Sequence, residues 1–218
     1  MLPDGKAYFP ITVGQTMIYQ VDSINYFSNG ALLDSTRSYV REEITELLTD
    51  TNGEERYKLE RSVRRDSTQE WQIADVWVVS RDDAGVYRTE ENLRFIKLVF
   101  PLTENRIWRH NAFIDENISV VVKSGEVMQP YINWRSSVSS LTDTVNLSNA
   151  AYTDVAVVIQ ADEDNLIQRR YVEENYAKDV GLIYREILIL DSQNTTSTAA
   201  WEEKAEKGFI VRQELISR

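Results

Sequence analysis

The feature that most constrains this chain is a period of two. Aromatic and β-branched side chains alternate with polar ones, and turn chemistry interrupts them roughly every ten to fifteen residues. Thr16 to Val21 puts Met17, Tyr19 and Val21 on one face and Ile18 and Gln20 on the other. The apolar set then changes parity and resumes at Ile24 and Tyr26, which predicts a bulge near Asp22-Ser23, with Asn29-Gly30 as the following turn. Tyr39 to Leu48 also fits one helical face through Val40, Ile44 and Leu48. The turn Asp50-Thr51-Asn52-Gly53 and the clean alternation from Arg56 to Val63 decide for a hairpin, because a returning strand needs a strand to pair with.

Further along, Trp71 to Ser80 and Val86 to Phe100 flank the turn Arg81 to Gly85, and Pro101 ends the second strand because it has no N–H for a ladder. Ile118 to Lys123 is a short β-branched run closed by Ser124-Gly125. Asp154 to Gln160 reads as a strand, with Ala161 to Asn165 as its turn, and Ile167 to Tyr176 is joined to Leu182 to Leu190 through Ala177 to Gly181. Ser136 to Asn149 and Ser192 to Ala200 are polar and read as exposed loops. The one helix expected is Ala199 to Lys207, with Gly208 as its C-terminal cap. The pattern predicts a mainly β fold: an antiparallel meander forming a curved sheet, half-barrel or open barrel, with a short C-terminal helix. A two-sheet β-sandwich is the alternative. One domain over residues 1–218 is expected, since all-β domains run to roughly 200–250 residues.

Charge and composition remove whole classes of function. Basic residues number 24 and acidic ones 35, a net charge of −11, and the densest basic cluster, Arg61 with Arg64 and Arg65, is followed at once by Asp66. Nucleic-acid binding needs a clustered basic surface to neutralise phosphates, so that class is excluded as a partner. There is no cysteine, hence no thiolate nucleophile, iron–sulfur cluster or cysteine-type zinc site. No apolar run reaches the roughly 18 residues a membrane helix needs. Met1 to Lys6 has neither a basic start nor an apolar core, so no signal peptide is expected there. No glycine-rich phosphate loop, dinucleotide fingerprint or nucleophile elbow occurs, and no cofactor is expected.

The remaining chemistry is thin. His110 is the only histidine, which excludes paired-histidine metal sites, and it reads as solvent-facing. Acidic pairs such as Glu42-Glu43, Glu90-Glu91 and Glu173-Glu174 read as solvated strand faces. A carboxylate-dependent hydrolase would need two acids sharing a cleft, one with a raised pKa. Asp162-Glu163-Asp164-Asn165 fails the EF-hand pattern because position six is Ile167. Aromatic residues are the best candidates for a binding surface. Trp71 and Trp77 are six apart, so an unbroken strand sets them on one face; with Trp108 and Tyr176 they would line the concave face of a curved sheet. The expected function is a non-enzymatic protein holding an apolar, lipid-like or amphipathic ligand in that face. The alternative is a structural module contacting a protein or glycan.

Tyr8-Phe9-Pro10-Ile11-Thr12-Val13-Gly14, followed by Tyr19-Gln20-Val21-Asp22, resembles the start of the mature region in a family of uncharacterised bacterial lipoproteins. Glu91 to Pro101 and Tyr176 to Tyr184 fit the same resemblance. Met17-Ile18 stands where that family often has Trp, and the lipobox cysteine is missing. The resemblance implies an extracytoplasmic location, in the periplasm or on the outer surface of the cell envelope. It also implies a lipid tether on an N-terminal cysteine and brings no activity; an envelope protein is the expected partner in the alternative reading of the chain as an interaction module.

Overall fold

Alternation of this kind gives each strand one face to bury, and a computed structural model of the chain shows how it is buried. The structure describes residues 5–27, 30–49, 51 and 53–218. The turn residues Asn29, Asp50 and Asn52 and the segment before Gly5 lie outside the described residues.

After a 3₁₀ turn at Lys6–Tyr8, the strands are β1 (Thr16–Phe27), β2 (Leu32–Thr49), β3 (Glu55–Arg64), β4 (Gln72–Arg81), β5 (Gly85–Glu90) and β6 (Leu93–Val99). There follow the short β7 (Ile107–Trp108), β8 (Val120–Val121) and β9 (Val127–Met128). The chain ends with β10 (Ser136–Asn146), β11 (Ala151–Asp164), β12 (Gln168–Ala177), β13 (Gly181–Asp191), helix α1 (Trp201–Lys204) and β14 (Lys207–Ser217). Among the described residues, twelve strands make one sheet in the order β6-β5-β4-β3-β2-β1-β14-β13-β12-β11-β10-β7, while β8 and β9 pair separately. The sheet is thus two antiparallel meanders zipped together where β1 meets β14. It curls until its edges nearly meet. At the seam Ile96 N–H donates to His110 O (2.9 Å), and Ile96 O accepts from Trp108 Nε1 (2.9 Å) and His110 Nδ1 (2.9 Å). The sandwich alternative is not what forms. No helix among the described residues is long and apolar enough to cross a membrane.

Tyr39 to Leu48 lies within β2 and pairs with β3, as the hairpin expectation required. Several finer expectations are corrected. The parity change after Val21 is not a bulge, since β1 pairs with β2 without a break from Thr16 to Phe27. What changes is the covered face: Met17, Tyr19 and Val21 point into the barrel core, whereas Tyr26 and Ile24 pack outside it against Leu188, Leu190, Ile210 and Trp201, beneath α1. Val86 to Phe100 is two strands, because Glu91 and Asn92 both adopt positive φ (48° and 64°), the conformation that a two-residue hairpin turn requires. Ser136 to Asn146 is the strand β10, irregular in register but carrying the buried Val138. β11 continues through Asp164, so Ala161 to Asp164 belongs to the strand and the turn follows it. The β-branched run at Ile118 contributes only Val120–Val121 to a strand. The helix shrinks to four residues, and Gly208 sits within β14 at φ +115°, packed on the Ile189 carbonyl, not at a helix end.

Candidate functional site

Residues at core parity are normally apolar, but inside this barrel several are charged. Arg88 follows Val86 by two, Lys97 follows Phe95 by two, and Glu174 lies between Val172 and Tyr176 on the same face. Lys97 and Glu174 are both fully buried and form an ion pair of 2.5 Å that reaches across the barrel from β6 to β12. Glu174 also receives Gln160 Nε2 and the Tyr176 hydroxyl, and Arg185 Nε lies 3.2 Å away. Arg88 holds Glu90 at 2.6 Å, and Lys97 and Arg185 each lie 3.9 Å from Glu90. The chain of contacts continues from Arg88 to Glu42 (3.9 Å), from Glu42 to Arg61 (3.5 Å) and from Arg61 to Asp75 (3.0 Å). Arg61, Arg88, Lys97 and Arg185 therefore meet Glu42, Asp75, Glu90 and Glu174, four charges of each sign. Burying ions is costly unless each is matched and hydrogen-bonded; this cluster is balanced in charge, but Arg61 Nε, Arg88 Nη2 and Arg185 Nε are buried without a hydrogen-bond partner.

The electrostatics follow from the geometry. Burial alone would raise the Glu174 pKa, yet Lys97, Arg185 and Arg88 outweigh it and hold it down at about 2. Glu90 is held below the ordinary carboxylate range in the same way, with Arg88 the main counterweight to burial. Burial pulls Lys97 down to about 8 against the attraction of Glu174. Two inward carboxylates thus share the interior, but both are kept ionised, the reverse of what a glycosidase-type general acid needs.

Above this cluster, residues 109–134 fold over one end of the barrel and carry the β8–β9 hairpin. Val122, Met128 and Trp134 from this cover pack on Val172 and Ile189 of the barrel wall. Packing there is incomplete. A cavity of about 110 Å³ remains, with Phe95, Val122, Trp134, Ile187, Ile189 and Phe209 among its apolar lining. Its polar lining is Glu90, His110, Tyr131 and Arg185. His110 is buried, not solvent-facing, and stacks between Phe95 (5.1 Å) and Trp134 (5.6 Å). Burial pushes its pKa down to about 3, so the ring is neutral. A smaller cavity of about 40 Å³ lies at Met17, Tyr19, Glu42 and Arg88. Among the described residues, no group of three or more His, Asp or Glu side chains is arranged to hold a metal ion.

Of the four aromatic residues expected to line the concave face, Trp77, Trp108 and Tyr176 share the main core and Trp71 does not. Trp77 is clamped by the guanidinium groups of Arg61 (4.7 Å) and Arg88 (4.9 Å). Trp108 serves the seam, and Tyr176 serves Glu174. Trp71 stacks on Arg64 (4.3 Å) and Arg41 (5.3 Å), which lie on the outer face of β2 and β3. The premise of an unbroken strand fails at Ala74. Asp75 pairs with Arg61 and Ile73 with Ser62, so one extra residue in β4 reverses the parity between Trp71 and Trp77. None of the four lines the 110 Å³ cavity. Its aromatic wall is Phe95, Tyr131 and Trp134, and Glu90, His110 and Arg185 line it as well. Spacing gave no sign of these, because they come from β5, the edge strand β6, a loop and β13.

No family model matches this chain, and no curated protein matches it. Among solved structures, the chain is similar to a putative lipoprotein from Parabacteroides distasonis, at 14% identity over 95% of this chain and 96% of that one, with a TM-score of 0.44. It is also similar to a putative exported protein with a YmcC-like fold from Bacteroides fragilis, at 12% identity over 95% and 96% of the two chains, with a TM-score of 0.40.

Proposed function

We propose that this protein is a non-enzymatic binding protein of the bacterial cell envelope, and that it takes a small amphipathic molecule into the compartment beneath residues 109–134. The observation that carries the binding role is the 110 Å³ cavity itself: an apolar wall shared by cover and barrel, with Glu90, His110, Tyr131 and Arg185 as its polar lining. Few polar groups on a mostly apolar concave wall are what small-molecule sites have in common. The envelope location is supported by the resemblance of the Tyr8–Gly14 region, which also implies a lipid tether. A hydrolase that uses Glu90 or Glu174 as its general acid is disfavoured because both are held ionised by cations.

The test uses the full chain labelled with ¹⁵N and a compact apolar probe, toluene. Saturable shifts confined to the lining segments, residues 90–95, 110, 120–134, 185–189 and 209, are expected, and Ile189→Phe, which fills the cavity, should abolish them. Shifts that never saturate, or that persist unchanged in the filled variant, would exclude this compartment as the site.

A further inference from the structure

The cavity beneath residues 109–134 is lined by hydrogen-bonding groups of both kinds that lack partners among the described residues. On the donor side, Arg185 Nε is buried without a hydrogen-bond partner, and Nη1 lies 3.9 Å from Glu90 Oε2, beyond hydrogen-bond reach. Tyr131 brings a second donor. Its backbone carbonyl takes Asn111 Nδ2 (2.8 Å), while its hydroxyl, kept protonated by burial and then by the Glu90 charge, meets no partner among the described residues. On the acceptor side, Ile96 O can only accept, so the 2.9 Å contact with His110 Nδ1 puts the proton on Nδ1 and leaves a lone pair on Nε2. Glu90 Oε1 is taken by Arg88 Nε (2.7 Å), whereas the nearest cation to Oε2 is Arg185 at 3.9 Å. Arg88, whose Nη2 also lacks a partner, lines the smaller cavity and not this one.

Net charge decides between an ion and a neutral molecule. Four cations already meet four carboxylates in the interior, so a charged headgroup would arrive without a counter-ion in a place where burial penalises it. A neutral group fits only if it carries both an acceptor for Arg185 and Tyr131 and a donor for Glu90 or His110. A carboxamide does: its carbonyl accepts, its NH₂ donates twice, and it is uncharged. Size bounds the apolar part. A cavity of about 150 Å³ lined by apolar side chains accommodates benzene, so about 110 Å³ restricts the whole molecule to about one small ring or its equivalent. Once the polar group is counted, a short branched chain is what remains.

Resting on the binding role proposed above, the geometry points to a small neutral carboxamide as the occupant: a short branched body against Phe95, Trp134, Ile187 and Ile189, with its carbonyl accepting from Arg185 and its NH₂ donating to Glu90 Oε2 or His110 Nε2. Such a group answers the unmet donors and acceptors together and leaves the charge balance of the interior unchanged.

Four probes of one shape, an isopropyl group on a trigonal carbon, separate this from the broader proposal. Isobutyramide accepts and donates, 3-methyl-2-butanone only accepts, isobutyrate is an anion, and isobutyramidinium is a cation that only donates. Each is titrated into the full chain at pH 7, beside toluene, and followed through the backbone amides of the lining segments and the Arg185 Nε–H. Isobutyramide is expected to bind about 10-fold or more tightly than the ketone, which lacks the hydrogen bond to the charged acceptor, and to move the Arg185 Nε–H resonance. The two ions should bind about 10-fold or more weakly than the amide. If the ketone or either ion matches the amide, if Arg185 Nε–H does not move, or if toluene alone gives saturable shifts, the carboxamide assignment falls while the binding compartment stands. If neither toluene nor any of the four gives saturable shifts in the lining segments, both fall together.

Discussion

His110 shows how far one residue's surroundings can move its chemistry. An imidazole in water changes charge near its ordinary value of 6.5, but here burial between Phe95 and Trp134 lowers that to about 3. The sign of the consequence is fixed by proton counting. Below about pH 6.5 the unfolded chain takes up a proton that the folded chain refuses until about pH 3, so stability falls as the pH drops through that window. Urea midpoints measured between pH 7 and 4.5 should fall for the native chain, and His110→Asn should remove up to about 1.4 kcal/mol per pH unit of that slope. Equal slopes in the two proteins would show that His110 already titrates normally in the fold. Tyr176 moves in the opposite direction: burial first, and then the Glu174 charge, keep its hydroxyl protonated well beyond the ordinary range, so that it remains a donor to that carboxylate.

At the scale of elements, close approach of backbones does what side-chain pattern cannot. Gly208 lies in β14 opposite Leu190, and a Cβ placed there would sit 1.9 Å from the Ile189 carbonyl oxygen. Gly14 also has a positive φ, +88°, but nothing lies within 4 Å of its Cβ position. Gly14→Ala should cost about 1 kcal/mol, the strain of the left-handed region alone. Gly208→Ala should cost about 3 kcal/mol or more, because strain adds to a clash with backbone that cannot turn aside. Chemical denaturation of the two variants checks this, and equal costs would mean that β13 and β14 can slide apart there. The extra residue Ala74 is the same lesson in β4, where a single insertion sends Trp71 to the outer face and Trp77 to the inner one.

For the whole molecule, the charged cluster is a set of struts between walls that are distant in sequence. Lys97 on edge strand β6 meets Glu174 on β12, the two separated by 77 positions. Removing one partner leaves the other buried and unmatched, so Glu174→Gln or Lys97→Met alone should lower stability by about 3–5 kcal/mol. The double variant should recover much of that loss, since a buried ion pair contributes little beyond its apolar replacement. Urea unfolding of the two single variants and the double completes the cycle; purely additive losses would show that the pair is not coupled. The zip between β1 and β14 has a related consequence, since the two strands at its centre come from opposite ends of the described chain.

Period-two alternation was enough to determine an antiparallel β framework, most of its hairpins, and the small share of helix. Backbone hydrogen bonds and face burial are local consequences of residue order, and the pattern at Arg56 to Val63 or Leu182 to Leu190 admits few alternatives. Which face is buried is not local. Ile24 and Tyr26 point away from the core because α1 covers the outside, and Arg88, Lys97 and Glu174 point into it because each finds opposite charge on a distant strand. The cavity is less legible still, since Phe95, Tyr131, Trp134 and Arg185 become neighbours only when the barrel curls and residues 109–134 close over its end. Sequence order therefore decided which segments extend and pair, whereas curvature and coverage decided which side chains meet, because burial and charge matching are properties of surfaces that form only once the strands are assembled.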